Sequence, residues 1–327
     1  MSHLGMGPGR EFDRIRAIAA ALGPAARQLG DDCAVIPEGE GRLVASTDVS
    51  VEGVHFLREW IALDEFGWRA AAASLSDLAA SGTEPVGLLA AVVVPPAASD
   101  EDVVLVMRGV GDAARAAGTA VLGGDLSSGP CWSATITVFG WSRRPLGRAG
   151  ARPGDAVWVT GRLGAARAAV EAWQRGEAPA PGARAAFAHP EPRIQAGRWL
   201  ADHGATALLD LSDGLGGDVQ HLAAASEVAV QLTLDRLPVA PEVAPEASRM
   251  DVPAQQFAVE GGEDYELLVA LPETFAEADR VSFEGACGLG LTRIGSIARG
   301  RGVRCTLAGR PISLSGFQHF ALAPAPK

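Results

Sequence analysis

The stretch VASTDVSVEGVHF, Val44 to Phe56, decides how this sequence reads. An apolar run, Leu43 to Ala45, delivers Ser46, Thr47 and Asp48 at its end, and Glu52, Gly53 and His55 follow in a loop. The pattern predicts a strand emptying into a polar site. Hard oxygen ligands there, followed by a glycine that permits an unusual backbone angle, suit Mg²⁺ or Ca²⁺. The same residues also make an ordinary turn. Four further stretches end alike: GDD at 30–32, SD at 76–77, GGD at 123–125 and DLSD at 210–213. Each taken singly reads as a helix cap or turn. Five together, each beside Gly or Ser, favour convergence on several divalent cations, since carboxylates gathered without a cation repel one another.

Outward from that stretch, hydrophobic periodicity predicts helices and strands in alternation. Glu11 to Leu22 reads as a first helix, and Ala34 to Ile36 as a short strand. Asp64 is placed as the N-cap of a helix to Ala80 that Gly82 stops, with Asp77 in its last turns. Val86 to Val94 is a buried strand, and Ser99 caps a helix through Ala117. Thr119 to Leu122 then runs into Gly123, Gly124 and Asp125, and Ser133 to Trp141 alternates as a strand. RRPLGRAGARPG, from Arg143, is basic, rich in Gly and Pro and aperiodic, so a domain boundary falls there, giving 1–146 and 147–327. The second half opens with a strand at Ala156 to Thr160, then helices near 163–173 and 193–203. Ala207 to Leu211 enters LDLSDGLGGD, which carries Asp210, Asp213 and Asp218. Val228 to Leu234 is a strand, Pro238 to Pro245 a loop, and Tyr265 to Leu271 a strand introduced by EGGED. The fold class expected is two domains, each α/β or α+β.

Composition narrows the chemistry. A formal charge of −11 disfavours nucleic acid as the main partner. The only lysine is Lys327, so P-loop, protein-kinase and Schiff-base lysines are all missing. If phosphates bind, a metal must mediate. The longest apolar run, Leu88 to Val94, ends at Pro95, far short of the roughly 20 residues of a membrane span. No signal-peptide pattern opens the sequence, and a cytoplasmic protein is expected. Cys33, Cys131, Cys287 and Cys305 are scattered without a CxxC pair and read as free thiols. GxGxxA at Gly109 to Ala114 lies inside a helical pattern, not after a strand, and is read as chance. His55 alone reads more simply as a structural histidine than as a catalyst, and Trp158, Trp173 and Trp199 read as core.

The ordered set GREF at 9–12, GDDCAV at 30–35, STDVSVEGVHF at 46–56, SDLAASGTEP at 76–85, GGD at 123–125, GARPGD at 150–155, LDLSDGL at 209–215 and GGEDYEL at 261–267 closely resembles the thiamine-monophosphate kinase family. That family falls within the ATP-binding superfamily typified by aminoimidazole ribonucleotide synthetase. The resemblance covers nearly the whole chain. It implies an N-terminal sheet domain that forms a homodimer, a C-terminal α/β domain, and ATP held by several Mg²⁺ ions. By motif position it implies Asp32, Ser46, Thr47, Asp48, Asp77, Asp125, Asp210 and Asp213 as metal ligands. Gly124, Asp125, Arg148 and Ser212 would contact ATP, and His55, Glu263 and Phe317 the thiamine substrate. Ser81 stands where Met is common and Phe317 where Tyr or Trp often sits; Asp31 and Asp218 receive no role.

The implied reaction is direct in-line transfer of the γ-phosphoryl group from ATP to thiamine monophosphate. The acceptor phosphate, with a second pKa of about 6, is mostly dianionic at neutral pH and needs no general base. No catalytic side chain is therefore assigned beyond the metal cluster. The alternatives are another ATP-dependent synthetase of the superfamily and a non-catalytic binder of metal and nucleotide. Selenophosphate synthetase typically carries a reactive Cys or selenocysteine near its N-terminus; residues 1–30 here have no Cys.

Overall fold

The computed structural model describes residues 10–26 and 36–314. It divides into two compact units, Met1–Leu146 with Ala188–His203, and Gly147–Phe187 with Gly204–Lys327. In chain order the first unit contains α1 (Arg10–Leu22), β1 (Arg42–Val51), α2 (Leu63–Ala80), β2 (Glu84–Val94), α3 (Asp100–Ala116), β3 (Val121–Ser128) and β4 (Ser133–Ser142). There follow β5 (Ala156–Thr160), α4 (Ala165–Gln174), α5 (Pro181–Ala188), α6 (Ile194–Asp202), β6 (Ala207–Asp210), α7 (Leu215–Ser226), β7 (Ala229–Thr233), α8 (Val243–Arg249), α9 (Ala254–Glu260), β8 (Leu267–Leu271), α10 (Glu277–Cys287), β9 (Leu291–Ala298), β10 (Gly302–Leu307) and β11 (Arg310–Ile312). Of these, α6 packs with the first unit, against α2: a Cβ on Gly197 would meet the Ala79 carbonyl oxygen at 1.9 Å.

The first unit is a four-stranded sheet in the order β1-β4-β2-β3, antiparallel except for the parallel β2–β3 pair. A parallel pair needs a crossover, and α3 supplies it. The local chemistry fits: Ser99 accepts the Asp102 N–H at 3.2 Å, and Asp102 accepts the Ser99 N–H at 2.9 Å, a reciprocal cap. Helices α2 and α3 pack on one face, where Ala134, Ile136, Val138, Leu88 and Val92 are buried. They approach closely because glycines meet backbone: a Cβ on Gly67 would lie 1.9 Å from the Val106 carbonyl oxygen, and one on Gly109 1.8 Å from that of Asp64. Among the described residues no helix covers the other face. Leu43 and Val49, each 49% exposed, stand there in register with Trp141 and Thr135.

The second unit is a seven-stranded mixed sheet, β11-β10-β7-β9-β5-β8-β6. One core joins Val157, Val159, Leu209, Leu222, Val230, Leu268 and Ile294. On the other face Trp158 is buried edge-on to Phe275, with ring centroids 5.5 Å apart.

Several expectations change. Strand β1 runs on to Val51, so Asp48 lies mid-strand opposite Ile136, and Asp125 likewise lies inside β3 opposite Ala91. Pairing with the neighbouring strand supplies hydrogen bonds that the polar sequence conceals. Helix α2 begins one residue before Asp64, with Ala62 at its cap and the Ala62 N–H donating to Glu65 at 2.8 Å. The segment read as a loop through Pro245 contains the start of α8, because proline is tolerated in a first helical turn. Trp173 and Trp199 are half-buried, Trp173 edge-on to Phe187 and Trp199 stacked on His203. The GDD stretch and most of the Ala34–Ile36 strand lie outside the described residues.

Candidate active site

In the first unit the side chains of alternate β1 residues turn toward α2. Ser46 donates to Asp77 Oδ2 at 2.5 Å, bringing two predicted ligands together from strand and helix. Asp48, two residues on, shares that face and is exposed. Thr47 turns the other way, where its hydroxyl meets that of Thr137 at 2.9 Å. Asp125 is not brought to this group. It sits on β3, the opposite edge of the sheet, three strand spacings or about 14 Å away. Next to it, Gly124 lies so close to β2 that a Cβ would meet the Ala90 carbonyl oxygen at 1.9 Å. His55 is folded into its own loop: its Nδ1 accepts the Val51 N–H at 3.1 Å and its N–H donates to the Val51 carbonyl at 2.9 Å. Acceptance at Nδ1 leaves Nε2 as the protonated nitrogen of the neutral ring. Ser81, in the hinge after α2, donates to the Leu78 carbonyl and meets Thr83.

In the second unit the site is built where β6 and β8 end side by side. The ladder continues past the strands: Leu211 N–H donates to the Glu266 carbonyl at 2.8 Å, Tyr265 N–H to that of Leu211 at 2.9 Å, and Glu263 N–H to that of Ser212 at 2.8 Å. Ser212 and Glu263 are thereby held together. The turn then enters α7 through Gly214, which the position requires twice over: its φ is +94, and a Cβ would strike the Gly261 carbonyl oxygen at 2.6 Å. Asp210 is buried and Asp213 half-buried. Behind them Asp218, 2% exposed, accepts the Asp213 backbone N–H, while its Oδ2 has no hydrogen-bond partner among the described residues. Burial first, then the neighbouring Asp210 and Asp213, push its pKa up to about 8, with Arg148 opposing. Arg148 stands on an exposed loop whose carbonyl accepts from Ser226 at 2.9 Å, and the same hydroxyl accepts the Gly150 and Ala151 N–H groups.

The comparisons bear on this geometry. Residues 30–142 match the family described as AIR synthase related protein, N-terminal domain. Thiamine-monophosphate kinase of Caulobacter vibrioides is 35% identical over 322 residues, covering 94% of this chain and 90% of that one. The chain belongs to the thiamine-monophosphate kinase family. Among solved structures, thiamine-monophosphate kinase from Stenotrophomonas maltophilia superposes with a TM-score of 0.80 at 32% identity, over 95% of this chain and 99% of that one. AaThiL complexed with AMPPCP and TMP superposes with a TM-score of 0.76 at 31% identity, over 85% and 87%.

Of the positions expected from thiamine-monophosphate kinase motifs, Asp32 and Phe317 lie outside the described residues. Of the rest, Ser46 and Asp77 with Asp48 lie at β1 and α2, with Thr47 turned to the other face of β1; His55 lies in the loop after β1, Gly124 and Asp125 on β3, Arg148 in the loop before β5, and Asp210, Ser212, Asp213 and Glu263 at the β6–β8 ends. Among the described residues no three acidic, His or Cys side chains form a closed metal cage. Sequence reasoning left Asp218 without a role and missed Asp264, which accepts from Gly164, and the Thr160–Glu266 pair, all beside Glu263. Asp264 and Glu266 carry one signal, their place within GGEDYEL, whereas Thr160, at the end of β5, carries none.

Proposed function

We propose that the chain phosphorylates thiamine monophosphate to thiamine diphosphate with ATP, by direct transfer at the β6–β8 ends. The observation that carries this reading is the backbone bond from Glu263 to Ser212 at 2.8 Å. It joins the residue expected at the thiamine to the residue expected at the nucleotide, so acceptor and donor meet on one rigid pair of loops. A fixed pair lowers the entropy cost of bringing two anionic substrates into line. Substrates of this class are what the relative crystallised with AMPPCP and TMP binds.

The donor set fits Mg²⁺. It consists of hard oxygens in groups of one or two carboxylates, which is how Mg²⁺ is held when phosphates and water complete its shell. Asp48 and Asp77 with Ser46 would hold one such ion, with Thr47 adding an oxygen through its backbone, and Asp125, and Asp210 with Asp213, would each serve another. When bound, Mg²⁺ neutralises phosphate charge. The protein's own work is positional: Ser46 fixes the Asp77 carboxylate, and Arg148 supplies a cation to the nucleotide. The acceptor dianion attacks without a base; for the thiamine contact expected of His55, the ring offers Nε2 as its donor, because Nδ1 already accepts the Val51 N–H. We assign the open face of β1 and β4, with half-exposed Leu43 and Val49, to a homodimer contact.

The test is to incubate the chain with ATP, Mg²⁺ and thiamine monophosphate and follow ADP and thiamine diphosphate by chromatography. Equimolar products that vanish with EDTA, and that free thiamine does not replace, are expected. ATP consumption without thiamine diphosphate would refute the assigned acceptor.

A further inference from the structure

Glu263 and Tyr265 are both left-handed, at φ +70 and +50, with Asp264 between them. Two non-glycine residues in that region within three positions form a rare kink that the surroundings must hold in place. On one side the kink is tied to Leu211 and Ser212 by backbone bonds. On the other side the ties run to the β5–α4 turn. Asp264 Oδ1 accepts the Gly164 N–H at 2.8 Å, Thr160 donates to Glu266 Oε2 at 2.6 Å, and Leu267 N–H donates to Thr160 at 2.8 Å. There is no slack in this turn, because a Cβ on Gly164 would fall 2.8 Å from Val243 and 3.0 Å from Ala258, and one on Gly161 2.0 Å from Glu266.

Of these ties only the Asp264 carboxyl reaches from within the kink itself. Its second oxygen, Oδ2, is shielded from water and, among the described residues, has no hydrogen-bond partner. Burial holds the group well above the usual carboxylate range, with Glu266 and Asp218 adding to the rise against the Gly164 hydrogen bond. Burying this carboxyl with only one of its oxygens paired is costly, and what it supplies in return is the bond to the Gly164 N–H, which an apolar side chain could not make.

On the reading of Glu263 as a thiamine contact, we propose that Asp264 is a positioning residue. By anchoring the kink to the Gly164 N–H, it sets the left-handed backbone that stands Glu263 beside Ser212. Asp264 does not touch the substrates; it acts through Glu263. Substitution therefore weakens use of thiamine monophosphate and leaves ATP use nearly unchanged. Asn preserves the acceptor oxygen and replaces Asp.

KM for both substrates is measured in the full chain and in Asp264→Ala, Asp264→Asn, Glu263→Ala and the Asp264→Ala, Glu263→Ala double variant. Expected for Asp264→Ala is a rise in KM for thiamine monophosphate of about 10- to 100-fold, the scale of an ångström-sized misplacement. KM for ATP should stay within about threefold, Asp264→Asn within about threefold of wild type, and Asp264→Ala should add nothing once Glu263 is Ala. Should the Ala variant fail to fold, Asp264→Leu, close in shape, carries the same expectation. Equal rises in both KM values, an effect that adds to that of Glu263→Ala, or an impaired Asn variant would overturn the role of Asp264 alone. A wild-type KM in Glu263→Ala would overturn the substrate contact and, with it, the positioning role.

Discussion

Replacing Gly109 by Ala is the sharpest test of how the first unit holds its acids. The added Cβ would lie 1.8 Å from the Asp64 carbonyl oxygen and 2.7 Å from the Trp68 nitrogen, both backbone atoms of α2. Carbon and oxygen in close contact sit about 3.3 Å apart, so α2 and α3 must separate locally by roughly 1.5 Å. Overpacking of this kind costs about 1–3 kcal/mol. Alanine returns about 1 kcal/mol of helix propensity. With Val106 and Val110 fully buried in the same contact, the overpacking cost is expected near the top of that span, about 3 kcal/mol, leaving a net loss of about 2 kcal/mol. Thermal unfolding should move down by about 4–8 °C. Because α2 carries Asp77, the displacement should also lower kcat/KM by about 100-fold. Gly285→Ala is the control: it is the same change in helix α10, where a Cβ would meet nothing within 4 Å, and it should stabilise by up to about 1 kcal/mol. Wild-type melting and activity in Gly109→Ala would refute the claim that close approach of α2 and α3 positions Asp77.

Asp77→Asn should lower kcat by about 100-fold or more with an unchanged circular dichroism spectrum, since the amide keeps the Ser46 contact and loses the charge. Asp218 has a folded pKa near 8, above its unfolded value, so its contribution to stability is fully present below about pH 4 and lost as pH rises through about 8. Melting of the metal-free chain across that window should fall with pH by at most about 1.4 kcal/mol per unit, and Asp218→Asn should flatten the slope. Ser99→Ala removes the α3 cap and should cost about 1 kcal/mol in urea unfolding while leaving both KM values alone. The Cys305 thiol, 4% exposed and pushed by burial to about 11, should resist alkylation at pH 8 until the chain unfolds.

The local sequence fixed what depends on neighbours in the chain. Ser99 with Asp102 and the Gly118 that follows bracket α3, and the apolar run before Pro95 marks β2, because caps, periodicity and proline act within a few residues. Ordered motifs carried the family, and with it the acids at β1, α2, β3 and the β6–α7 turn. What the sequence could not decide was anything set by a partner distant along the chain. Strand β1 continues through Asp48 because β4, some ninety residues later, completes its ladder. GxGxxA in α3 is explained by a second helix, since Gly109 exists to let α2 approach. Asp48 and Asp125 share a sheet without sharing a corner, which only strand order reveals. Asp264 reads in the sequence as one more acid of a motif. Its strained neighbours, its bond to Gly164 and its shielded oxygen arise from burial and hydrogen-bond closure, which exist only once β5, β6 and β8 lie side by side.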